Sequence, residues 1–344
     1  MKKKKLFNKI DKVILKNNLE NESFKRITAS FYKYISIAQP EKFRDSLFLS
    51  FDEMLIFGRI YVSKEGINAQ VSIPQQSWDL FLLQISEIKE LKSIEIKKAL
   101  NDGKSFYKLT IKVRKELVAY GLNDNEYDMS KVGKHLNSSD YNTAIKNRKT
   151  IIVDMRNYYE SEVGRFDNAI IPNVETSKEL LPEVKNILKG KENEKILLYC
   201  TGGIRCEKAS SYLIKNGFKD INQLQGGIIQ YAHEMKEKSM KSKFKGKNFV
   251  FDNRLGERVT KDIISKCHIC ESSCDTHTDC KNDACHILFI QCKSCNEKYD
   301  GCCSTDCMHF ASLPLEKQKE LRKTPEHIVS KTFFDSRIKP KLRP

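Results

Sequence analysis

The sequence predicts an α/β protein of several domains, and three observations support this class. Its 344 residues are enough for two or three domains, each long enough to bury a core. Apolar runs typical of strands alternate with segments of helical spacing along most of the chain. Ten of the twelve cysteines lie between residues 267 and 307, which marks a separate small region.

The first predicted domain, residues 21–122, has the element order β-α-β-β-α-β. Its predicted elements are strand 26–37, helix 41–54, strands 55–62 and 68–73, helix 77–91 and strand 106–113. This order predicts a ferredoxin-like α+β sandwich, which is a common small scaffold. Residues 1–20 before it are predicted to form a basic arm, and residues 123–138 after it a linker.

The second predicted domain, residues 139–240, alternates strands with helices. Strands are predicted at 151–154, 196–200 and 221–224, and Ser139 is the predicted N-cap of the first helix. Such alternation predicts a parallel sheet flanked by helices, with functional residues at the carboxyl ends of the strands.

The most informative segment is Cys200-Thr201-Gly202-Gly203-Ile204-Arg205, between a predicted strand and a predicted helix at 207–216. Backbone N–H groups, the positive end of the helix dipole and Arg205 all lower the pKa of a thiol placed there, from roughly 8.5 toward neutrality. A cysteine at a strand end is more often an inert small hydrophobe. Gly202 and Gly203, which permit positive φ and close backbone approach, favour a nucleophile instead. We therefore predict Cys200 and Arg205 as catalytic.

Three residues near this loop carry further predictions. Asp154 and Arg156 are expected to orient the active loop from the neighbouring strand end. Cys206 has two interpretations: a thiol that forms a disulfide with an oxidised Cys200, or a side chain packed against the sheet. We prefer packing, since a position at the start of a helix directs the side chain away from the loop about as often as toward it.

Several segments resemble the signatures of rhodanese domains. The run Ile151–Asn157 with Glu160 and Gly164 resembles their opening signature, and Leu224–Ile228 resembles their closing Gly-Gly turn. The segment from Cys200 to Arg205, with four residues between the two, matches their active loop. Tyrosine-phosphatase-like loops hold one residue more and enclose a phosphate, whereas the shorter loop suits a single sulfur or oxygen atom. A phosphatase is therefore disfavoured.

The resemblance extends to one rhodanese-containing family, the bacterial tRNA uridine hydroxylases, over roughly residues 20–330. The segments that carry it are Glu65–Asn68, Val113–Glu116, Tyr199–Ser210, Phe249–Asp252 and Cys302–Ser304. The resemblance implies that O₂ serves as co-substrate, with an unidentified reductant, in converting uridine at tRNA position 34 to 5-hydroxyuridine. On chemical grounds we expect Cys200 to act there as a thiolate or a persulfide.

The cysteine-rich segment belongs to residues 241–330, which begin with a basic connector and precede a basic tail at 331–344. Dense cysteines in a chain without a secretory signal favour metal over disulfides, and the pairs Cys267/Cys270 and Cys292/Cys295 have knuckle spacing. Structural Zn²⁺ is predicted, with an iron–sulfur cluster as the alternative. Six cysteines remain for a second site, and four histidines are open substitutes: Cys274, Cys280, Cys285, Cys302, Cys303, Cys307, His268, His277, His286 and His309.

The formal charge of +16 favours a polyanionic partner such as the anticodon loop of tRNA, and a generally lysine-rich composition is the alternative explanation. A candidate basic patch in the first domain contains Lys108, Lys112, Arg114 and Lys115. The sequence has no signal peptide and no apolar run long enough for a membrane span, so we expect a cytoplasmic protein. No obligate protein partner is evident.

Three hypotheses for the function follow. The first is wobble-uridine hydroxylation, in which Cys200 adds to C6 of an extruded uracil. The second is rhodanese-type sulfur transfer through a Cys200 persulfide. The third is a basic zinc module that binds RNA without catalysis, which an intact cysteine and arginine in the loop disfavour.

Overall fold

The structure, a computed structural model, describes Leu6, Asn8 and residues 10–322. The basic tail predicted at 331–344 and the first residues of the basic arm lie outside the described residues. The structure confirms the predicted class, with an N-terminal α+β sandwich, a central parallel-sheet domain and a cysteine-rich C-terminal region.

The N-terminal domain is a five-stranded sheet with two helices packed on one face. Helix α1 precedes it, and the elements are α1 Lys12–Glu20, β1 Arg26–Tyr34, α2 Pro40–Glu53, β2 Phe57–Ser63, β3 Gly66–Pro74, α3 Trp78–Glu87, β4 Lys97–Lys98 and β5 Leu109–Val113. The strand order is β4-β1-β3-β2-β5, in which only the β2–β5 pair is parallel. The order β4-β1-β3-β2 is the predicted ferredoxin-like arrangement, in which the two-residue β4 takes the place of the fourth strand. Strand β5, predicted from the sequence at 106–113, is added at the opposite edge, parallel to β2.

The two faces of this sheet differ because side chains alternate along each strand. Ala29 and Phe31 of β1 and Ile60 and Val62 of β2 are almost fully buried under the helices. The residues between them point to the opposite face, which no helix of this domain covers. One face thus makes the hydrophobic core, and the other is left available to the rest of the molecule.

The central domain has a four-stranded sheet of order β6-β10-β9-β7, with all strands parallel. Its elements, together with β8, which pairs outside this sheet, are β6 Lys134–Leu136, α4 Ser138–Ile145, β7 Ile151–Asp154, α5 Tyr158–Glu162, β8 Gly164–Phe166, α6 Ser177–Ile187, β9 Lys195–Tyr199, α7 Ile204–Lys215, β10 Asp220–Leu224 and α8 Gly227–Glu237.

Two details at the start of this domain differ from the sequence prediction. Strand β6 lies within residues 123–138, which the sequence predicts to be a linker. The strand is not predicted from the sequence because three residues are too few to show the periodicity of a strand. The N-cap of α4 is Asn137 rather than Ser139, since the Asn137 Oδ1 accepts from the N–H groups of Ser139 and Asp140 at 3.0 Å.

Hydrophobic clusters cover both faces of the central sheet. Helices α6 and α7 pack on one face. On the other, the ring of Phe166 lies at the centre of an aromatic group with centroid distances of 4.8–5.4 Å. The four rings around it are those of Tyr141, Tyr199, Tyr231 and Phe244. These rings hold β9, and with it the start of the active loop, against α4, α8 and β11.

The C-terminal region is attached to the central domain through a small sheet. Strand β11 pairs antiparallel with β8 and with β12. The elements of this region are β11 Phe244–Asn248, β12 Glu257–Arg258, β13 His277–Asp279, β14 Leu288–Ile290, α9 Lys293–Lys298, α10 Thr305–Ser312 and α11 Leu315–Leu321. Strands β13 and β14 form a hairpin that carries much of the cysteine-rich segment.

The N-terminal domain holds the helix that follows the active loop. The hydroxyl of Tyr34 donates to the carbonyl of Ile204 at 3.3 Å. The ammonium of Lys208 is completely buried and lies 3.0 Å from carboxylates of both Glu65 and Glu116. A buried charge is tolerated only when it is paired, so these contacts require both domains to be in place.

Candidate active site

Cys200 lies directly after the carboxyl end of β9, and α7 begins four residues later at Ile204. Gly203 caps this helix with a φ of +104°, and a Cβ there would lie only 2.6 Å from the Tyr32 hydroxyl oxygen. Glycine is therefore required for both conformation and space. Its N–H donates to the Cys200 Sγ at 3.1 Å. The turn thus directs a backbone donor at the sulfur.

The Gly226–Gly227 turn supports the loop from the neighbouring strand end. The N–H groups of Ile228 and Ile229, in the first turn of α8, donate to the carbonyls of Cys200 and Thr201 at 3.0 and 3.1 Å. A Cβ on Gly227 would lie 2.6 Å from the Cys200 carbonyl oxygen. The turn is glycine because the two backbones approach this closely.

The pKa of the Cys200 thiol is lowered to about 6, although its side chain is fully buried. Burial alone raises this pKa, since it disfavours the thiolate. A hydrogen bond from the Cys206 thiol, the charge of Arg205 and the N–H groups of Cys206 and Gly203 outweigh burial. The site therefore holds a thiolate at neutral pH, which is the nucleophilic form of cysteine.

Cys206 both packs in the core and contacts the nucleophile. It is completely buried among side chains of the central domain, as the packing interpretation expects. Its thiol also hydrogen-bonds to Cys200, and burial followed by that contact raises the pKa of Cys206 far above its ordinary value. Cys206 therefore stays protonated and donates to the thiolate.

Arg205 does not point freely into the site. Its guanidinium makes a two-pronged contact with the Glu160 carboxylate at 2.6 and 2.8 Å, and it also donates to the Thr201 Oγ1 at 3.2 Å. Glu160 is fixed in turn by the capping box of α5, where its carboxylate accepts from the Asn157 N–H at 3.0 Å. The positive charge beside Cys200 is thus held by a carboxylate of a different element.

Asp154 and Arg156 form a second buried ion pair, at 2.7 Å. Arg156 also donates to the Gly164 carbonyl at 2.6 Å, and Asp154 accepts from the Ser161 hydroxyl at 2.8 Å. Both residues therefore fix the turn that carries α5. They connect to the active loop through α5, because Arg156 donates to the Glu160 carbonyl and the Glu160 carboxylate holds Arg205.

A cavity of about 420 Å³ reaches Cys200 from the N-terminal domain. Its lining includes the active loop, the uncovered face of the N-terminal sheet, the segment 114–119 that follows this sheet, and residues 250–257 of the C-terminal region. Of the candidate basic patch only Arg114 is among the lining residues, and Arg59 and Lys97 contribute two further cations. No local sequence pattern indicates this face, because its strands are brought to Cys200 only by the packing of domains.

The cysteine-rich region holds two clusters of four thiols, and both could bind a metal ion. In each cluster all four sulfurs lie within 4.8 Å of one another. The first cluster is Cys267, Cys270, Cys292 and Cys295, and the second is Cys280, Cys285, Cys303 and Cys307. Cys274 and Cys302 are buried outside both clusters, and none of the four histidines belongs to either.

The sulfur separations match those of a tetrahedral thiolate site. Four sulfurs about 2.3 Å from one ion lie about 3.8 Å apart. Three of the pairs within the clusters are Cys270–Cys292 at 3.5 Å, Cys303–Cys307 at 3.6 Å and Cys285–Cys303 at 3.7 Å. All twelve cysteines are free of disulfides. Among residues 10–322, no helix has the length and apolar character needed to cross a membrane.

The state of Cys200 can be measured by its reaction with a small alkylating reagent. We expect the labelling rate to rise with pH around a midpoint near 6, since the thiolate is the reactive form. Cys206→Ala removes a donor and should move that midpoint upward. Mass spectrometry of the Cys200 peptide gives the rate, and labelling at Cys206 itself should stay negligible. A midpoint at or above 8.5 in the unaltered protein would contradict this assignment.

Glu160→Gln tests the buried ion pair. We expect the free energy of unfolding to fall by about 3 kcal/mol, because the Arg205 charge is left buried without its counter-charge. Urea unfolding followed by circular dichroism measures the change. Glu316→Gln is the matched control, since that carboxylate pairs with Lys319 at an exposed position and should show no measurable effect. Equal stability of both variants would remove Glu160 from this role.

Comparison with known proteins agrees with this geometry. Family models described as "UPF0176 acylphosphatase like domain", "Rhodanese-like domain" and "Rhodanase C-terminal" match residues 26–117, 138–234 and 245–308. Three similar relatives are each named tRNA uridine(34) hydroxylase. They come from Leptospira interrogans (48% identity, 99% of this chain and 93% of the relative), Pectobacterium atrosepticum (45%, 94% and 91%) and Photorhabdus laumondii (46%, 96% and 95%). With this identity over nearly its whole length, the chain belongs to the family of tRNA uridine(34) hydroxylases.

Proposed function

We propose that this protein is an enzyme that hydroxylates C5 of uridine at wobble position 34 of tRNA, with O₂ as co-substrate and Cys200 as nucleophile. The observation that carries the proposal is a thiol with a pKa lowered to about 6 at the wall of a cavity of about 420 Å³. The names of the relatives supply the substrate and the reaction class. The cavity has the size expected for one extruded base and its sugar.

In the first step the Cys200 thiolate adds to C6 of uracil. The new S–C6 bond moves the C5=C6 electron pair toward C5 and O4, which gives an enolate with nucleophilic character at C5. Arg205 supports this step by stabilising the thiolate before it reacts. Its guanidinium is hydrogen-bonded to Glu160, so it does not also bind the uracil oxygens. The Gly203 N–H, released as the sulfur loses its charge, is one of the donors beside the reacting atoms.

The second step consumes O₂. The C5 enolate attacks O₂, and protonation gives a C5 hydroperoxide, whose O–O bond is cleaved by two electrons and two protons from a two-electron reductant. Water leaves and a hydroxyl group remains on C5. Loss of the C5 proton then expels the Cys200 thiolate and restores the C5=C6 bond. The balance is uridine, O₂, two electrons and two protons to 5-hydroxyuridine and water.

Sulfur transfer through a Cys200 persulfide is the alternative. The active loop has the length found in rhodaneses, so a persulfide would fit it equally well. The named relatives favour hydroxylation. A persulfide could itself be the nucleophile that adds to C6, in which case both chemistries would use one residue.

The anticodon loop of tRNA is the proposed partner. Single-stranded loop bases are the ones that proteins can extrude and read at their edges. Exposed Arg59 and Arg114 beside the cavity could neutralise the flanking phosphates. We propose the cytoplasm as the location, because tRNA is modified there and its reducing conditions keep thiolate clusters free of disulfides.

Zn²⁺ is the proposed metal in both cysteine clusters. Four soft thiolates in a closed tetrahedral arrangement suit a structural zinc ion, and such an ion adds folding energy to a segment with little core. The first cluster packs against Val163 and Phe249, so its metal would hold the C-terminal region on the central domain. An iron–sulfur cluster is less suited to these sites, since the sulfur separations already match a single ion.

The proposed reaction can be tested with purified protein and a stem-loop transcript that carries U34. Under air and with a dithiol reductant, we expect nucleoside mass spectrometry to find 5-hydroxyuridine with one ¹⁸O atom when ¹⁸O₂ is supplied. Cys200→Ser should abolish it, because a serine hydroxyl is not ionised at neutral pH. Total tRNA from a deletion strain complemented with wild type or Cys200→Ala provides the test in cells.

Three outcomes would redirect the proposal. Thiosulfate–cyanide turnover without a change in tRNA nucleosides would establish sulfur transfer. Unchanged 5-hydroxyuridine with Cys200→Ser would remove Cys200 as the nucleophile. RNA binding that is unaffected by Cys200→Ala, with no modified nucleoside from wild type, would leave only the non-catalytic hypothesis.

The metal content is expected to be two zinc ions per chain. Elemental analysis of the purified protein measures it directly. A Cys270→Ser/Cys292→Ser variant should retain one ion, and Cys285→Ser/Cys303→Ser should likewise retain one, because the clusters share no ligand. Cys274→Ser, outside both clusters, is the matched control and should keep two. If the analysis instead finds iron, together with visible charge-transfer absorption, the clusters hold iron–sulfur centres and the zinc assignment is wrong.

A further inference from the structure

The uncovered face of the N-terminal sheet is built from two rows of side chains that run across β1, β3 and β2. The strand register aligns them directly. In each row the central β3 residue is paired with one residue of β1 and one of β2, and the rows are Tyr32–Asn68–Tyr61 and Ser30–Gln70–Arg59. All six residues line the cavity that contains Cys200. The wall opposite the nucleophile is therefore a regular sheet surface.

This wall contains two amides without internal partners. Within residues 10–322 no side-chain hydrogen bond engages Asn68 or Gln70, although both are half-buried. Tyr32, by contrast, is engaged, since its hydroxyl donates to Glu207 at 3.1 Å and the Lys97 ammonium lies 5.0 Å from its ring centroid. Half-buried amides on a rigid sheet without protein partners are suited to hydrogen bonds with a ligand.

An aromatic ring lies beside these amides. Tyr61 is half-buried on β2, next to Asn68 in the register, and the guanidinium of Arg114 lies 5.6 Å from its ring centroid. Aromatic side chains on the open face of a sheet are a recurring surface for stacking single-stranded bases. An adjacent cation adds attraction for a base and for its phosphate.

The chemistry of this wall matches the uracil base. The Watson–Crick edge of uracil presents one N–H donor, at N3, between two carbonyl acceptors. A primary amide offers an acceptor and a donor side by side, so its oxygen can accept from N3–H while its nitrogen donates to O4 or O2. Two neighbouring amides can satisfy the whole edge, and stacking on Tyr61 fixes the plane of the ring.

We propose that the open face of the N-terminal sheet recognises the target base, with Tyr61 stacking on the uracil and Asn68 and Gln70 hydrogen-bonding its Watson–Crick edge. The proposal rests on the proposed function, which makes uracil the substrate base. It assigns to the N-terminal domain the selection of the base, while the active loop of the central domain supplies the reaction. The base is then held between a reading surface and a nucleophile from different domains.

The experiment measures binding of labelled anticodon stem-loops by fluorescence anisotropy, without O₂ or reductant so that no turnover occurs. Three probes differ only at position 34, which is uridine, 3-methyluridine or abasic. Wild type should bind the uridine probe more tightly than the other two. Tyr61→Ala should weaken binding of the uridine probe about tenfold, or by about 1.4 kcal/mol, because stacking of the base on the ring is lost. Binding of the abasic probe should be unchanged.

The amide variants have a separate signature. Asn68→Ala and Gln70→Ala should each weaken binding of the uridine probe several-fold. Neither should weaken binding of the 3-methyluridine probe, because that base has no N3–H. Tyr61→Phe should bind like wild type, because stacking needs only the ring. Tyr107→Ala is the matched control, a half-buried tyrosine of the same domain outside the cavity, and its affinity for every probe should be unchanged.

Each outcome decides the proposal. Base recognition by this face is overturned if Tyr61→Ala weakens binding of the uridine and abasic probes equally, or weakens neither. If the result supports the proposal, the unchanged affinity for the abasic probe also shows that the variant is folded. Aerobic formation of 5-hydroxyuridine by wild type is measured in parallel. Hydroxylation without base-specific losses overturns only this inference, whereas base-specific losses without hydroxylation support it and overturn the proposed function.

Discussion

Holding a negative charge on a sulfur with no solvent exposure is the constraint on which this structure depends. Burial by itself would keep Cys200 protonated, and water is not available to stabilise the thiolate. Every compensating donor must therefore be supplied by the protein and held in place. The Gly203 N–H is fixed by a backbone conformation that excludes a side chain, the Cys206 thiol by the packing of α7, and the Arg205 charge by Glu160.

The same constraint explains why the N-terminal domain is part of the site. It encloses the loop through two hydrogen bonds. The Tyr120 hydroxyl donates to the Arg205 carbonyl at 3.1 Å, and the Lys97 ammonium donates to the Gly202 carbonyl at 3.3 Å. Its Glu65 and Glu116 also neutralise the buried Lys208 on the helix that carries Arg205 and Cys206. Separating the domains would expose the thiolate to water and leave buried charges unpaired, so the two domains behave as one unit around the reacting atoms.

The parts predicted correctly from the sequence were those determined by neighbouring residues. The Cys200–Arg205 loop, the order of strands and helices and the two pairs of closely spaced cysteines are all local patterns. Glu160 was noticed only as part of a signature, although Asn157 three residues before it is a capping-box signal that indicates a fixed carboxylate. Long-range packing determines the remaining features, and no local stretch of the sequence indicates it. It brings Tyr61 and Cys200 to the same cavity, and it groups four of the cysteines into one cluster: Cys280, Cys285, Cys303 and Cys307.

The charges at the loop also bear on which substrate it can accept. In rhodanese-type sulfur transfer from thiosulfate, an anion must approach the loop beside Cys200. Here the Arg205 charge is already matched by Glu160 through two hydrogen bonds, and Cys200 is itself a thiolate, so Arg205 is not free to bind a second anion beside the sulfur. A further anion would be repelled at this distance, where the low dielectric screens little. Uracil is neutral, and it gains a negative charge only after the thiolate has given up its own. The loop therefore favours addition to a base over attack on an anionic sulfur donor.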